Sequence, residues 1–269
     1  MQDLIQHLIN GISLGSIYAL VALGYTMVYG ILHLINFAHS DVYMVGAFAA
    51  YYTAKLMGIS QSPGLSTLII LTIASMVVCS ILGLAIERFA YRPLRNAPKL
   101  NILITAIGVS LLLQYLGQVI FGASPKVFPQ ILDDSVLTTI GSVPLKLLDV
   151  TVLIITLIMM MILHFVIFKT KLGKAMRAVS TNMTVAKMMG VNTDRVIAFT
   201  FVVGSSLAAV GSVLVGMKYP KIDPLMGMLI GIKAFVAAVL GGIGSVPGAV
   251  IGALIMGLSE EMVVAYLSS

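Results

Sequence analysis

The chain has 269 residues, of which 59% are hydrophobic and only 10% are charged. A soluble domain is usually about 25% charged, so this composition excludes a water-soluble globular fold and indicates that lipid is the main solvent. The net charge of +6 comes from basic residues in short segments between apolar runs, which orientation in a membrane explains better than nucleic-acid binding does. The single cysteine, Cys79, excludes an internal disulfide, and the four histidines are too scattered to suggest a metal site.

Eight runs are long and apolar enough to be membrane segments, which need about 20 residues each. They lie at about 8–30, 41–58, 65–86, 100–121, 150–168, 196–217, 225–241 and 247–267. The first is too long for a signal peptide and has no basic residues before it, so we interpret it as the first span. The second and seventh are short or polar enough to be broken or re-entrant. We predict an all-α, polytopic transmembrane bundle that forms one domain over residues 1–269.

The distribution of lysine and arginine predicts the orientation of the spans. Segments 87–99 and 169–195 hold ten of the 16 basic residues, whereas segment 122–149 is acidic through Asp133, Asp134 and Asp149. Basic loops stay in the cytoplasm, so the first two segments are predicted to be cytoplasmic and the third external. By parity, the N-terminus and loop 218–224 are then external, and loops 31–40 and 242–246 are cytoplasmic.

Small residues recur every fourth position along the sixth span and at two other places. They are Gly204, Ala208, Ser212 and Gly216, with Gly11 and Gly15, and Gly248 and Gly252. This spacing lets helix backbones approach closely in lipid. We favour a role in helix packing over a role in substrate binding.

Segment 169–195, KTKLGKAMRAVSTNMTVAKMMGVNTDR, is long for a turn and has two stretches of helical spacing. We expect Thr184 to cap the second short helix, Gly190 to end it in a left-handed conformation, and Asn192 or Thr193 to cap the next span. Exposed methionines suit a docking surface, because methionine adapts to irregular partner grooves. A basic loop lying on lipid headgroups fits equally well, and the residues alone do not decide between the two.

Asn36, His39, Ser40 and Asp41 lie between two apolar runs with almost no loop between them. We favour a tight turn in which Asp41 caps the second span. The alternative is that these residues lie at membrane depth, where polar groups must face protein or a water-filled cavity. Asn36 and His39 would then order the neighbouring backbone or line a pathway.

Two features near the C-terminal end have two interpretations each. Lys233 lies within an apolar stretch; we favour snorkelling to the interface over an ion pair inside the bundle. Gly241, Gly242 and Gly244 interrupt the last two apolar runs. We favour a hairpin turn there over a broken helix that presents backbone groups to a cargo.

Several chemistries lack a sequence signal. No GxxxxGK[ST] motif occurs, so ATP hydrolysis by a P-loop of this chain is not expected, and we predict neither an enzyme nor a cofactor of its own. All ten carboxylates can be assigned to loops or span ends, which argues against a proton-coupled carrier. A gradient-driven channel or carrier, and a structural membrane subunit, remain alternatives from the residues alone.

The blocks NFAHSDVYMVGA (36–47) and KAFVAAVLGGIGSVPGA (233–249), with stretches 11–35, 86–100, 104–114 and 190–216, resemble the H-type permease subunit of bacterial branched-chain amino acid ABC transporters. Urea and short-amide permeases are similar in places. The resemblance implies an inner-membrane importer in which two related permeases line one pathway. Two cytoplasmic ATPases would bind ATP and magnesium, and a periplasmic binding protein would deliver leucine, isoleucine or valine.

The resemblance also implies that segment 169–195 is the coupling loop. Its ATPase-facing side would carry Gly173, Arg177, Ala178, Ala186, Gly190 and Asp194. Two departures stand out: Ser40 replaces a glycine common in the family, and members usually continue past the position of Ser269 into another apolar span. A shorter variant or an incomplete C-terminus would each explain the second departure.

Overall fold

The computed structural model describes residues 2–58, 64–95, 97–133, 135–140 and 143–267. Within those ranges the chain forms ten α-helices, which confirms the all-α bundle. They are α1 (Gln2–Leu32), α2 (His39–Leu56), α3 (Leu65–Ile86), α4 (Lys99–Phe121), α5 (Leu147–Lys169), α6 (Lys171–Thr181), α7 (Met183–Met188), α8 (Thr193–Lys218), α9 (Met226–Leu240) and α10 (Val246–Tyr266). A π-helical turn (Glu87–Tyr91) and a 3₁₀ turn (Arg92–Leu94) extend α3.

Six of these helices, α1, α3, α4, α5, α8 and α10, are long and apolar enough to cross a membrane. The other two predicted segments are α2, with 18 residues, and α9, with 15. At 1.5 Å per residue, α9 is about 22 Å long, which is shorter than a hydrocarbon core of about 30 Å. Each is one continuous helix, so neither of these two segments is broken.

Helix α1 lies at the centre of the bundle. Its most apolar stretch is 94% buried, and that of α8 is 72% buried, whereas those of α3, α4, α5 and α10 are only 22–28% buried. The outer helices direct large apolar side chains outward, as Ile81, Val119 and Phe165 illustrate. An apolar exterior of this kind requires lipid or a partner protein around it.

The four small residues that recur along α8, Gly204, Ala208, Ser212 and Gly216, are all buried. Gly204 faces the backbone of Gly24, and a Cβ at Gly46 would meet the hydroxyl of Ser212. Gly216 lies against the ring of Phe128. The side of α8 that carries this pattern therefore packs closely on α1, on α2 and on the loop after α4.

Contacts between loops group them at two ends, in the pairing that the charge distribution predicts. At the basic end, the Tyr91 hydroxyl donates to Asn36 at 2.9 Å. At the other end, antiparallel pairs join β1 (Lys126–Val127) to β4 (Lys221–Ile222), and β2 (Val136–Ile140) to β3 (Val143–Lys146). Loops 122–149 and 218–224 therefore share one end of the bundle; Asp134 lies outside the described residues.

Candidate functional site: the basic end and the bundle interior

Three side-chain caps fix the helices of segment 169–195. The Thr170 hydroxyl accepts from the Gly173 amide, and the Asn182 side chain accepts from the Val185 amide, each at 3.0 Å. Asn192 caps α8 in the same way. The expectation that Thr184 caps the second helix is wrong, because α7 already begins at Met183.

The end of α5 holds α6 in place. A Cβ at Gly173 would collide with the carbonyl groups of Val166 and Ile167, so α6 crosses α5 at backbone distance. The Arg177 guanidinium donates to the Ile167 carbonyl and lies 5.4 Å from the Phe168 ring centroid. Arg177 therefore caps a helix C-terminus, where cations are favoured.

One side of α6 and α7 is buried and the other is exposed. Met176, Val179 and Ala186 face the protein. Met188 and Met189, at the end of α7, are 81% and 79% exposed. Gly190 follows with φ +81°, which is the left-handed conformation predicted for it, and the chain then turns towards α8.

The six predicted coupling residues do not share one face. Arg177, Ala178 and Gly190 are exposed, and Asp194 is half-buried. Gly173 and Ala186 are buried against their own chain, so they would contribute by positioning the two helices. We name residues 170–192 the elbow.

An ionic cluster joins the start of α8 to the extension of α3. Asp194 accepts from Arg92 and from Arg95, both at 2.5 Å, and Arg95 also pairs with Glu87. Sequence reasoning missed this cluster because it used segment 87–99 only for orientation. A cavity of about 480 Å³ lies beside this cluster, and its wall includes Met183 and Lys187 of α7.

The polar residues just before α2 and in its first turn are buried. Asn36 accepts from Tyr91, and the His39 Nε2 lies 3.2 Å from the Val21 carbonyl oxygen. The predicted capping role of Asp41 is wrong: Ala38 occupies the N-cap position, and no side chain caps this helix. Asp41 instead accepts a 2.5 Å hydrogen bond from the Ser110 hydroxyl of α4.

Lys233 does not snorkel, which corrects the interpretation that we favoured. Its ammonium pairs with Glu260 of α10 at 2.5 Å, and the Tyr18 hydroxyl of α1 donates to the same carboxylate at 2.9 Å. Glu260 lies more than one turn before the end of α10, so the assignment of every carboxylate to loops or span ends is also wrong. The pair depends on a contact between two helices, which the sequence did not indicate.

Gly241, Gly242 and Gly244 form a tight turn between α9 and α10, as the favoured interpretation predicted. Gly242 and Gly244 have φ values of +89° and +94°, and a Cβ at Gly241 would collide with the carbonyl of Gly248. The Ser245 hydroxyl then caps α10.

The opposite end of the bundle contains a larger polar cavity of about 820 Å³. Its wall includes Asn10, Asp149, Lys218 and Glu261. Lys218 donates to Asp149 and to Ser13, each at 2.8 Å. The charge distribution predicts that this cavity lies on the external side.

Comparison with known proteins shows which family and which relatives this chain is similar to. Residues 7–269 match the model of the family described as "Branched-chain amino acid transport system / permease component". The chain is similar to the high-affinity branched-chain amino acid transport system permease protein LivH of Escherichia coli K12, with 42% identity over 98% of this chain and 87% of the relative. No solved structure matches.

Similar proteins also occur in two other organisms. The permease protein BraD of the same kind of system in Pseudomonas aeruginosa is 41% identical over 95% of this chain and 85% of its own length. A probable branched-chain amino acid transport permease protein LivH of Methanocaldococcus jannaschii is 31% identical over 94% of this chain and 79% of its own length.

Proposed function

Because this multi-pass membrane protein belongs to the permease component family of branched-chain amino acid transport systems, we propose that it is one of two permease subunits in an ATP-driven importer of leucine, isoleucine or valine. The importer lies in the bacterial inner membrane. This chain forms half of the pathway and hydrolyses no ATP itself. Two cytoplasmic ATPases bind ATP and magnesium, and a periplasmic binding protein delivers the amino acid.

The observation that carries the coupling role is the exposed tip of the elbow. Met188 and Met189 project from the basic end, and among the described residues their side chains are some of the most exposed apolar ones. Methionine is flexible and suits a groove on a partner protein. The other exposed large apolar side chains of the elbow, Leu172 and Val185, are only 43% and 52% exposed, so the apolar surface is concentrated at the tip. A helix that lies on bare lipid presents a broader apolar face.

The contacts around the elbow give it the stiffness that transmission of movement requires. Gly173 and Arg177 fasten α6 to α5, and the Asp194 cluster fastens the start of α8 to the extension of α3. When the ATPases close, α7 is displaced. Because these contacts hold the helices together, α5 and α8 move with it. The inner helices then change their packing, and the pathway opens to the other side of the membrane.

The test is to replace both methionines by aspartate in the complete complex. Charges at this position oppose burial in an apolar groove, so we expect the ATPases no longer to co-purify with the permease, and ATP-driven uptake of isoleucine to be lost. The matched control is Leu137→Asp in β2, an exposed apolar residue at the opposite end, which should retain the ATPases. The proposal would be contradicted if the methionine variant retained both the ATPases and uptake. Isoleucine flux through this chain alone in liposomes would also contradict it.

A further inference from the structure

A third cavity, of about 260 Å³, lies between α1, α2, α4 and α9. Ser110 is the middle residue of α4, and Gly231 and Phe235 lie in the middle part of α9. All three belong to the cavity wall, so the space lies near the middle of the bundle along its length. Binding sites of membrane transporters commonly occupy that depth.

The cavity wall has an apolar part and a polar part. The apolar part includes large side chains from α4, α9 and the turn before α2, namely Phe37, Ile107, Leu111, Ile232 and Phe235. Ile107, Leu111 and Ile232 are 43–53% exposed, so the cavity opens on this side to the surface of the chain. The polar part contains Tyr25, Ser40, Ser110 and Gln114. A space of this size, just below the range of about 300–1,000 Å³ usual for drug-sized ligands, fits a small solute.

A carboxyl group that lacks a full set of partners lies behind the polar part. Asp41 is 1% exposed, and its Oδ2 accepts from Ser110 at 2.5 Å, while its buried Oδ1 has no hydrogen-bond partner among the described residues. Gln114 donates to the same serine hydroxyl at 3.2 Å. A buried carboxyl oxygen without a partner is costly, and an ionisable side chain at membrane depth indicates a functional site.

We propose that this cavity is the transit site for the imported amino acid, an inference that rests on the proposed function. The α-ammonium group binds at Ser110 and Gln114, where the negative charge of Asp41 strengthens the serine oxygen as an acceptor. The branched side chain lies against Ile107, Ile232 and Phe235. Asp41 is thus a positioning residue that acts through Ser110.

The chemistry of the wall explains why one site accepts all three amino acids. The ammonium group is common to leucine, isoleucine and valine, so the polar part recognises what they share. The apolar part offers no directional contacts and distinguishes them only by size. A charged or strongly polar side chain would lose its hydration at this wall without gaining a partner.

The experiment measures ATP-driven uptake of radiolabelled isoleucine and valine by the complete complex in liposomes, with saturating binding protein. Ile107→Trp fills the cavity, and we expect isoleucine uptake to fall about tenfold. Valine lacks one CH₂, so the ratio of valine to isoleucine uptake should rise about fourfold. Ile104→Trp is the matched control, since Ile104 is exposed on the same helix but lies outside the cavity wall; both rates should stay within about twofold of wild type, as for a surface change.

The polar part is tested with Ser110→Ala and Asp41→Asn, each checked for assembly by co-purification of the other subunits. Removal of the serine hydroxyl should lower both rates about tenfold without changing their ratio, because the ammonium group is common to both substrates. The proposal is overturned if Ile107→Trp and Ser110→Ala behave like Ile104→Trp, or if Ile107→Trp lowers both rates equally. A wild-type complex that takes up neither amino acid would overturn the proposed function, and this site with it.

Discussion

Lys233 of α9 and Glu260 of α10 form an ion pair of 2.5 Å between two apolar helices. Glu260 also accepts from Tyr18, so one carboxylate joins α1, α9 and α10. The two side chains are 34% and 25% exposed, so most of each is covered by protein. Each charge therefore depends on the other as its counter-ion.

The first prediction concerns this pair. Glu260→Gln leaves Lys233 charged without a counter-ion, which should destabilise the folded chain by about 3 kcal/mol. Replacing both residues by methionine removes both charges and should restore most of that stability. Thermal unfolding in detergent, followed by circular dichroism, measures both variants. Equal stability of the wild type and Glu260→Gln would show that water already reaches the pair.

The second prediction concerns the crossing of α5 and α6. Gly173→Ala places a methyl group against the carbonyls of residues 166 and 167, and overpacking of this kind costs about 2 kcal/mol. We expect faster hydrogen exchange in α6 and a lower unfolding temperature. Gly108→Ala, whose added methyl group meets nothing within 4 Å, should be neutral or slightly stabilising. Similar behaviour of the two variants would refute the close crossing.

The third prediction separates the two arginines of the ionic cluster. Arg92 is 42% exposed, whereas Arg95 is 15% exposed and pairs with Glu87, which is only 3% exposed. Arg92→Gln should cost less than about 1 kcal/mol, as for an exposed pair. Arg95→Gln leaves the Glu87 carboxylate buried without its cation and should cost about 3 kcal/mol. If thermal unfolding ranks the two variants in the opposite order, the partner assignment is incorrect.

The fourth prediction concerns the cap of α7. Asn182→Ala removes the hydrogen bond to the Val185 amide, and such caps contribute about 1 kcal/mol. Hydrogen exchange of the α7 amides should therefore accelerate about fivefold. Thr184→Ala lacks this effect because the Thr184 side chain is not the cap. A greater acceleration in Thr184→Ala than in Asn182→Ala would favour the original assignment of the cap.

The sequence predicted what depends on short-range patterns. Apolar runs located the membrane helices, lysine and arginine located the ends of the bundle, and Gly190 and Asn192 had their expected local roles. These features follow from helix periodicity, from the charge bias of cytoplasmic loops and from backbone conformation at chain turns.

Apart from the cap of α7, which was misplaced by two residues, the errors involve partners that are distant in sequence. Asp41 looked like a helix cap because a capping residue is usual before an apolar run, but its hydrogen-bond donor is Ser110, 69 residues away. Lys233 looked like a snorkelling residue because Glu260 lies 27 residues further along the chain. Only the packing of helices brings such groups together, and one sequence does not contain that information.

The central position of α1 has a consequence for biogenesis. Gly15 fits against Gly257 so closely that a Cβ at Gly257 would strike its backbone, and His7 contacts Glu261, 254 residues later. Helix α1, which is made before the other described helices, is thus completed by α10. Until then its small-residue face must be covered by lipid or by an insertion chaperone, so the core of this protein closes only after α10 has been made.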